Sequence, residues 1–177
     1  SAGGHSCCTS DVAPAGPYDQ TKVEGRADVL VYQTQPLTAD MEVTGPVQVV
    51  LYAASTARDT DFTAKLVDVH PDGKAYNLSN GIIRASSRET LERRIPITPG
   101  KVYEYKIDLW PTANLFRAGH RIALEISSSN FPHYDANPNT GAKHGTTTAV
   151  RIADQTILHD AAHPSRIVLL VMATPLQ

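Results

Sequence analysis

The chain has too little cysteine to be a disulfide scaffold. Its 2 thiols, Cys7 and Cys8, are adjacent, and neighbours in sequence seldom satisfy disulfide geometry with each other. A zinc site needs about four ligands, which neighbouring thiols without a second Cys/His cluster do not supply. Unpaired thiols point towards a reducing, cytoplasmic compartment. Charge of one sign is lacking as well. The net charge is −2, with acidic and basic residues interspersed, so no basic face is expected and nucleic acid is not an expected partner. No apolar run approaches the ~18 residues needed to cross a bilayer, and the start of the chain has no signal-peptide pattern, so a membrane is not an expected partner either. Aromatics make up 6%, with one tryptophan, Trp110. A sugar platform would have to draw on Trp110, Tyr103, Tyr105, Phe116, Phe131 and Tyr134, for which core or interface packing is the competing reading. Helical periodicity is scarce: one or two turns are expected over Ser87–Arg94 and one over Thr112–Arg117.

What is present is a period of two. Asp28–Tyr32 and Val47–Tyr52 are rich in β-branched and aromatic residues, Asp61–Val69 and Lys101–Leu109 alternate, and so does Arg121–Ile126. Ala149–Leu158 and Arg166–Ala173 complete the series. Between the runs stand turn signals, among them His70-Pro71-Asp72-Gly73, Asn80-Gly81, Thr98-Pro99-Gly100 and Ala118-Gly119. About eight strands at this spacing predict an all-β sandwich or jelly roll. At 177 residues, 41% hydrophobic and 19% charged, the chain suits one sizeable core and is short for two domains. Residues 1–25 read as a lead-in along the surface, and 26–177 as a single β-sandwich domain.

The motifs of catalysis are missing. Nucleophilic hydrolysis needs a serine or cysteine activated by a histidine that a carboxylate orients. No G-x-S-x-G occurs, and the nearest approach, Gly4-His5-Ser6-Cys7-Cys8, has no strand before it and no helix after it. No catalytic residue is expected. The 7 histidines are scattered, without H-E-x-x-H. His70 and His163 precede prolines and His120 follows Gly119, which reads as turn positions. No metal ligand or cofactor is expected. The densest polar stretch, Ser127 to Gly141, places Asp135, Asn137 and Asn139 at the first three ligand positions of an EF-hand-like loop, but Thr140 and Thr146 stand where glycine and a bidentate glutamate are required. Asx turns are therefore expected there, with the Phe131 ring packed inward. The two carboxylates of Asp59-Thr60-Asp61 read as a polar entrance to a strand, since nothing sets them opposite each other as in a glycosidase.

Several blocks, in order, carry a resemblance: Arg26-Ala-Asp-Val-Leu-Val-Tyr, Val43-Thr-Gly-Pro-Val, and Asp59-Thr-Asp-Phe-Thr-Ala-Lys-Leu-Val-Asp-Val-His-Pro-Asp-Gly. Then come Asn80-Gly-Ile-Ile-Arg, Pro99-Gly-Lys-Val-Tyr, Ala118-Gly-His-Arg-Ile, Ser127-Ser-Ser-Asn-Phe-Pro and His163-Pro-Ser-Arg-Ile-Val-Leu. Together they resemble the C-terminal domain of the X-prolyl dipeptidyl-peptidase and cocaine esterase class of serine hydrolases, over nearly the whole chain. The resemblance implies a jelly-roll β-sandwich similar to galactose-binding domains. It also implies a Ser-Asp-His triad in a separate α/β-hydrolase domain of the same parent protein. This domain would buttress that partner, wall part of its substrate pocket and contribute to homo-oligomer contacts. By alignment of the surrounding block, the pocket wall falls on Leu51 and Tyr52. The family usually carries basic residues where His133 and Ala136 stand, so any clamp from this loop to the hydrolase domain is expected to differ. A carbohydrate-binding module and an oligomerisation domain are the alternative functions.

Overall fold

The computed structural model describes residues 15–143 and 145–173. A short helix, α1 (Thr21–Glu24), precedes eight strands: β1 (Leu30–Gln33), β2 (Met41–Ser55), β3 (Asp61–Val69), β4 (Ala75–Arg84), β5 (Tyr103–Phe116), β6 (Arg121–Ser127), β7 (Gln155–Leu158) and β8 (Arg166–Val168). One sheet has the order β1-β6-β3-β4; in the other, β2 lies between β5 and, on its far edge, β7 and β8. Every ladder is antiparallel. No helix among the described residues is long and apolar enough to cross a membrane.

The alternation read from the sequence is what closes the sandwich. Val47, Val49, Leu51 and Ala53 of β2 and Tyr105, Ile107 and Leu109 of β5 turn inward, and Phe62, Ala64 and Leu66 of β3 meet them from the other sheet. The rings of Phe62 and Tyr105 lie 4.7 Å apart across the two layers. Where β4 passes β5 the backbones nearly touch. A Cβ on Gly81 would stand 2.0 Å from the carbonyl oxygen of Asp108. Gly81→Ala is therefore expected to wedge the sheets apart and cost ~1–3 kcal/mol, at the upper end because the obstacle is backbone. Urea denaturation checks this, with an unchanged midpoint the adverse result.

Two short helices expected from the sequence are not formed. Thr112–Phe116 continues β5, paired with Met41–Gly45, so the cross-strand ladder wins over weak local helix preference. Of the other stretch only Ser87 is helical, as the last residue of a 3-10 turn, Ala85–Ser87. The β2–β5 ladder slips at Pro46 and Pro111, where β5 carries one extra residue. Proline supplies no N–H to the ladder. Trp110 takes up the bulge at φ 66°, its N–H donates to Asp108 Oδ1 at 2.8 Å, and its ring is 67% exposed.

Of the lead-in, residues 15–25 belong to the described part and are tied to β4. Asp19 bridges Tyr76, and Gln20, fully buried, donates from its backbone N–H to Ala75 O at 2.7 Å. This segment and the loop after β6 cover the outer face of the first sheet, and β3 is accordingly buried on both sides except at its last residue.

Antiparallel order sorts the connections to two ends. The tight turns β3–β4 and β5–β6 lie at one. The β2–β3 turn, residues 85–102 and residues 128–154 lie at the other, the loop end.

Candidate functional site

At the loop end, the turn 56–60 carries Asp59, and β3 begins directly after it at Asp61; the two are 2% and 1% exposed. Carboxylates this deep must be paired and fully hydrogen-bonded, and both are. Asp59 accepts from Ser86 N at 2.9 Å, Ser86 Oγ at 3.0 Å and Arg94 Nη2 at 2.8 Å. Asp61 accepts from Arg84 Nε at 2.8 Å and Nη2 at 2.9 Å, and from Asn137 Nδ2 at 2.8 Å. The hydrogen bond to Asp61 holds the Arg84 guanidinium above its already high range. Arg94 reaches on to Ala142 O at 2.8 Å, and Arg88 donates to Ile95 O at 2.7 Å while lying over the Tyr103 ring. These ion pairs and hydrogen bonds tether the loops to the end of the sandwich.

The loop Ser127 to Gly141 is pinned to the same lattice. Thr63 and Ser127 hydroxyls bond each other at 2.6 Å, Asn130 Nδ2 donates to Asn80 Oδ1 at 2.9 Å, and Asn137 reaches Asp61. Asn137 Oδ1 accepts from Asn139 N at 2.9 Å, an Asx turn that leaves Asn139 at φ 60°, and Asn139 Nδ2 donates to Arg151 O. Asn137 and Asn139, two of the three side chains weighed as calcium ligands, thus bond the protein itself. The Phe131–Pro132 peptide is cis, and Phe131 is 58% exposed rather than packed inward. The loop's own polar bonds fix its path without needing that ring.

The loops so fixed present apolar side chains to solvent. Leu91, Val150 and Ile152 are 92%, 84% and 89% exposed, a costly display for rigid segments of a solvated surface. Leu91 also lines, with Trp110, Tyr134, Ile83 and Arg84, a depression of about 620 Å³ beside the β4–β5 edge. Of the six aromatics considered for a sugar platform, Tyr105 and Phe116 are wholly buried, whereas Trp110 and Tyr134 share this depression. A second hollow, about 790 Å³, lies over the outer face of the first sheet, where Lys65, Glu125, Asn80 and Asn130 are among its lining.

Leu51 and Tyr52 are separated by the strand's alternation. Leu51 is 2% exposed in the core. Tyr52 stands on the outer face of the second sheet, donates to Glu104 Oε2 at 2.5 Å, and meets the His163 ring edge-on at 5.6 Å. Accepting that hydrogen bond, Glu104 raises the Tyr52 hydroxyl above its ordinary value. His163 in turn holds the Asp160 carboxyl low by hydrogen bonding.

Gly4 to Cys8 and His144 lie outside the described residues. His133 stacks against Tyr134, and His159 packs edge-on to Tyr32. The sequence reading missed one convergence: His70 and His120, both read as turn positions, meet at the opposite end beside Asp68. The available signal was Asp68-x-His70 at the end of one strand and His120 immediately before another.

The model of the X-Pro dipeptidyl-peptidase C-terminal non-catalytic domain matches residues 5–168. The cocaine esterase of Rhodococcus sp. (strain MB1 Bresler) is 48% identical over 159 residues, covering 89% of this chain but 28% of that esterase. Among solved structures, an aminopeptidase from a marine sediment Thaumarchaeota archaeon superposes with a TM-score of 0.84 at 34% identity, over 88% of this chain and 27% of that one. An α-amino acid ester hydrolase gives 0.80 at 32% identity, again over 88% and 27%. The chain thus spans under a third of the length of these relatives. With the eight-stranded sandwich, the buried charge lattice and the match over nearly its whole length, the chain belongs to the X-Pro dipeptidyl-peptidase C-terminal non-catalytic domain family.

Proposed function

We propose that this domain is the accessory β-sandwich of an α/β-hydrolase of the acyl esterase or X-Pro dipeptidyl-peptidase type, and that its loop end seats against the catalytic domain of the same protein. The observation that carries this reading is the pairing of rigidity with apolar exposure. Leu91, Val150 and Ile152 stand out from the two long connections of the loop end, and Arg94 ties those connections together from the buried Asp59. A surface meant for water has no use for leucine and isoleucine at these exposures, whereas a domain interface does. The names of the relatives, an esterase and an aminopeptidase among them, are consistent with a hydrolase partner.

A pocket-wall role, if carried by the Leu51–Tyr52 pair, falls to Tyr52. Leu51 is committed to the core and can act only by fixing the strand. Tyr52 offers a ring and a hydroxyl to a neighbouring molecule, the combination that shapes an acyl pocket.

The test mixes the purified chain with the α/β-hydrolase domain encoded upstream of it. Binding and a rise in esterase activity towards a nitrophenyl ester are expected, with no turnover by the chain alone. Leu91→Asp together with Ile152→Asp should weaken that binding at least ~10-fold while leaving the isolated chain folded, because neither side chain is buried. Undiminished binding by this double variant would remove the loop end from the interface. Saturable stabilisation of the wild-type chain by a sugar, abolished by Trp110→Ala, would instead favour a carbohydrate-binding module, and a stable symmetric dimer by sedimentation an oligomerisation domain.

A further inference from the structure

At the end of the sandwich away from the long loops, three side chains converge that the reading above does not use. Asp68 and His70 stand at i and i+2 near the end of β3, so alternation puts them on one face. The β3–β6 ladder pairs Asp68 with Ile122 and Val69 with Arg121, and the next step of the same register sets His70 across from His120. The antiparallel fold therefore gathers Asp-x-His from the β3–β4 hairpin and a histidine from the β5–β6 turn between the sheets. Two tight turns hold them: His70 N donates to Lys74 O at 2.8 Å and Gly73 N to His70 O at 2.9 Å, while His120 N donates to Arg117 O at 3.0 Å.

The donor atoms point at one another. His120 Nδ1 lies 2.9 Å from Asp68 Oδ1 and His70 Nε2 3.7 Å from Asp68 Oδ2, and one ligand atom from each residue falls within 4.8 Å of the other two. The imidazole rings are 4.3 Å apart, and Tyr76 backs His70 at 4.8 Å. The Asp68 side chain is 9% exposed. Its described ion pairs are both with histidines, so its charge is balanced by no fixed lysine or arginine among the described residues.

We infer that Asp68, His70 and His120 form a binding site for a divalent transition-metal ion of the zinc class. Tetrahedral zinc with nitrogen and oxygen ligands at about 2.0–2.1 Å needs its donors roughly 3.3 Å apart. The 2.9 and 3.7 Å separations bracket that spacing, and side-chain rotation closes the remaining one, which is no more than 4.8 Å. Two imidazoles and one carboxylate suit zinc, cobalt or nickel, whereas calcium and magnesium demand oxygen ligands throughout. The His70 side chain is 38% exposed, which leaves the fourth position open to water or an exogenous ligand. The ion would clip the β3–β4 hairpin to the β5–β6 turn. The site stands apart from the loop end and does not depend on what docks there.

The test uses the chain with Cys7→Ser and Cys8→Ser, so that thiols outside the described residues do not compete for metal. Zinc titrated against a chromogenic chelator should bind at one equivalent, and cobalt should give visible d–d absorption. His70→Ala and His120→Ala should each weaken zinc binding by more than the ~10–100-fold that loss of an outer hydrogen-bond partner costs. His159→Ala, away from the cluster, should leave it unchanged. His70 is the more exposed of the two histidines, so His70→Ala keeps its metal-free far-UV spectrum and melting curve and serves even where His120→Ala fails to fold. Absence of zinc binding in the thiol-free chain, or equal binding by His70→Ala, overturns the assignment.

Discussion

Lys65→Met is expected to destabilise the domain by ~3–5 kcal/mol, because it leaves a carboxylate buried without its cation. Lys65 on β3 and Glu125 on β6 are directly opposite in the ladder, with Nζ 3.3 Å from Oε2 and side-chain exposures of 11% and 4%. Lys65 Nζ also donates to Gln20 Oε1 at 2.7 Å, which is how the lead-in is fastened over the sheet. Glu125 Oε1 has no hydrogen-bond partner among the described residues. Burial pushes the Glu125 carboxyl above its ordinary 4.5, and the nearby Lys65 opposes that push. The folded value thus lies above the unfolded one, so this carboxyl favours folding most below about 4.5 and its contribution is lost as pH rises through the folded value. Without Lys65 the upward push is unopposed, and the stability lost by Lys65→Met should be smaller in mild acid than at neutral pH. Adding Glu125→Leu should recover most of the loss, since replacing both ions of a buried pair by apolar groups is often neutral or stabilising. Urea midpoints for the single and double variants at two pH values decide it. A double variant as unstable as the single would mean that packing, not charge, holds this face.

The sandwich was legible because its information is local. Period-two patterning in Val47–Tyr52, Asp61–Val69 and Arg121–Ile126 names the inward side chains before any pairing is known, and Val47, Val49, Leu51, Phe62, Ala64, Leu66, Ile122 and Ile126 do form the core, although β3 is covered on its other face as well. Thr112–Phe116 was misread because its strand state is imposed by Met41–Gly45, some seventy residues earlier in the chain, and not by its own propensity. Gly81 looked like one half of an Asn-Gly turn. It is in fact a mid-strand glycine, required where Asp108 of the other sheet passes. The polar chemistry was the least legible. Arg58 stands next to Asp59 in sequence, yet the partners that hold Asp59 and Asp61 are Arg94, Arg84 and Asn137, which come from three other segments. The Asp68, His70 and His120 cluster was hidden for the same reason: the β3–β4 hairpin and the β5–β6 turn supply it, and only the β3–β6 register reveals that they face. What the sequence did expose was the set of ordered blocks that tie the chain to its family.

Asp59→Ala should have an effect nearly as large, on the order of 3 kcal/mol, but with a different signature. The substitution leaves the buried Ser86 N–H and hydroxyl without their acceptors, a penalty of about 1–3 kcal/mol for each such group that water does not reach. Arg94 contributes less, since its side chain is 34% exposed and can be resolvated. The consequence for the loop end is more specific than the energy. Arg94 joins Asp59 to Ala142 O at 2.8 Å, so one carboxylate anchors the connection after β4 and the connection after β6 at once. Released from it, residues 86–95 and 139–143 should exchange amide hydrogens far faster, while β2 and β5, which form the deepest ladder, should keep their protection. Asp59→Asn supplies the discriminating comparison. It can still accept from Ser86 N, so it should retain much of the global stability while the Arg94 tether and the loop protection are lost. If the loop end is where the hydrolase domain seats, that variant should weaken docking without lowering the melting temperature of the isolated chain to the same degree. Equal protection of the loops in Asp59→Asn and the wild-type chain would show that backbone contacts alone hold them, and that the arginine lattice is not what makes this surface rigid.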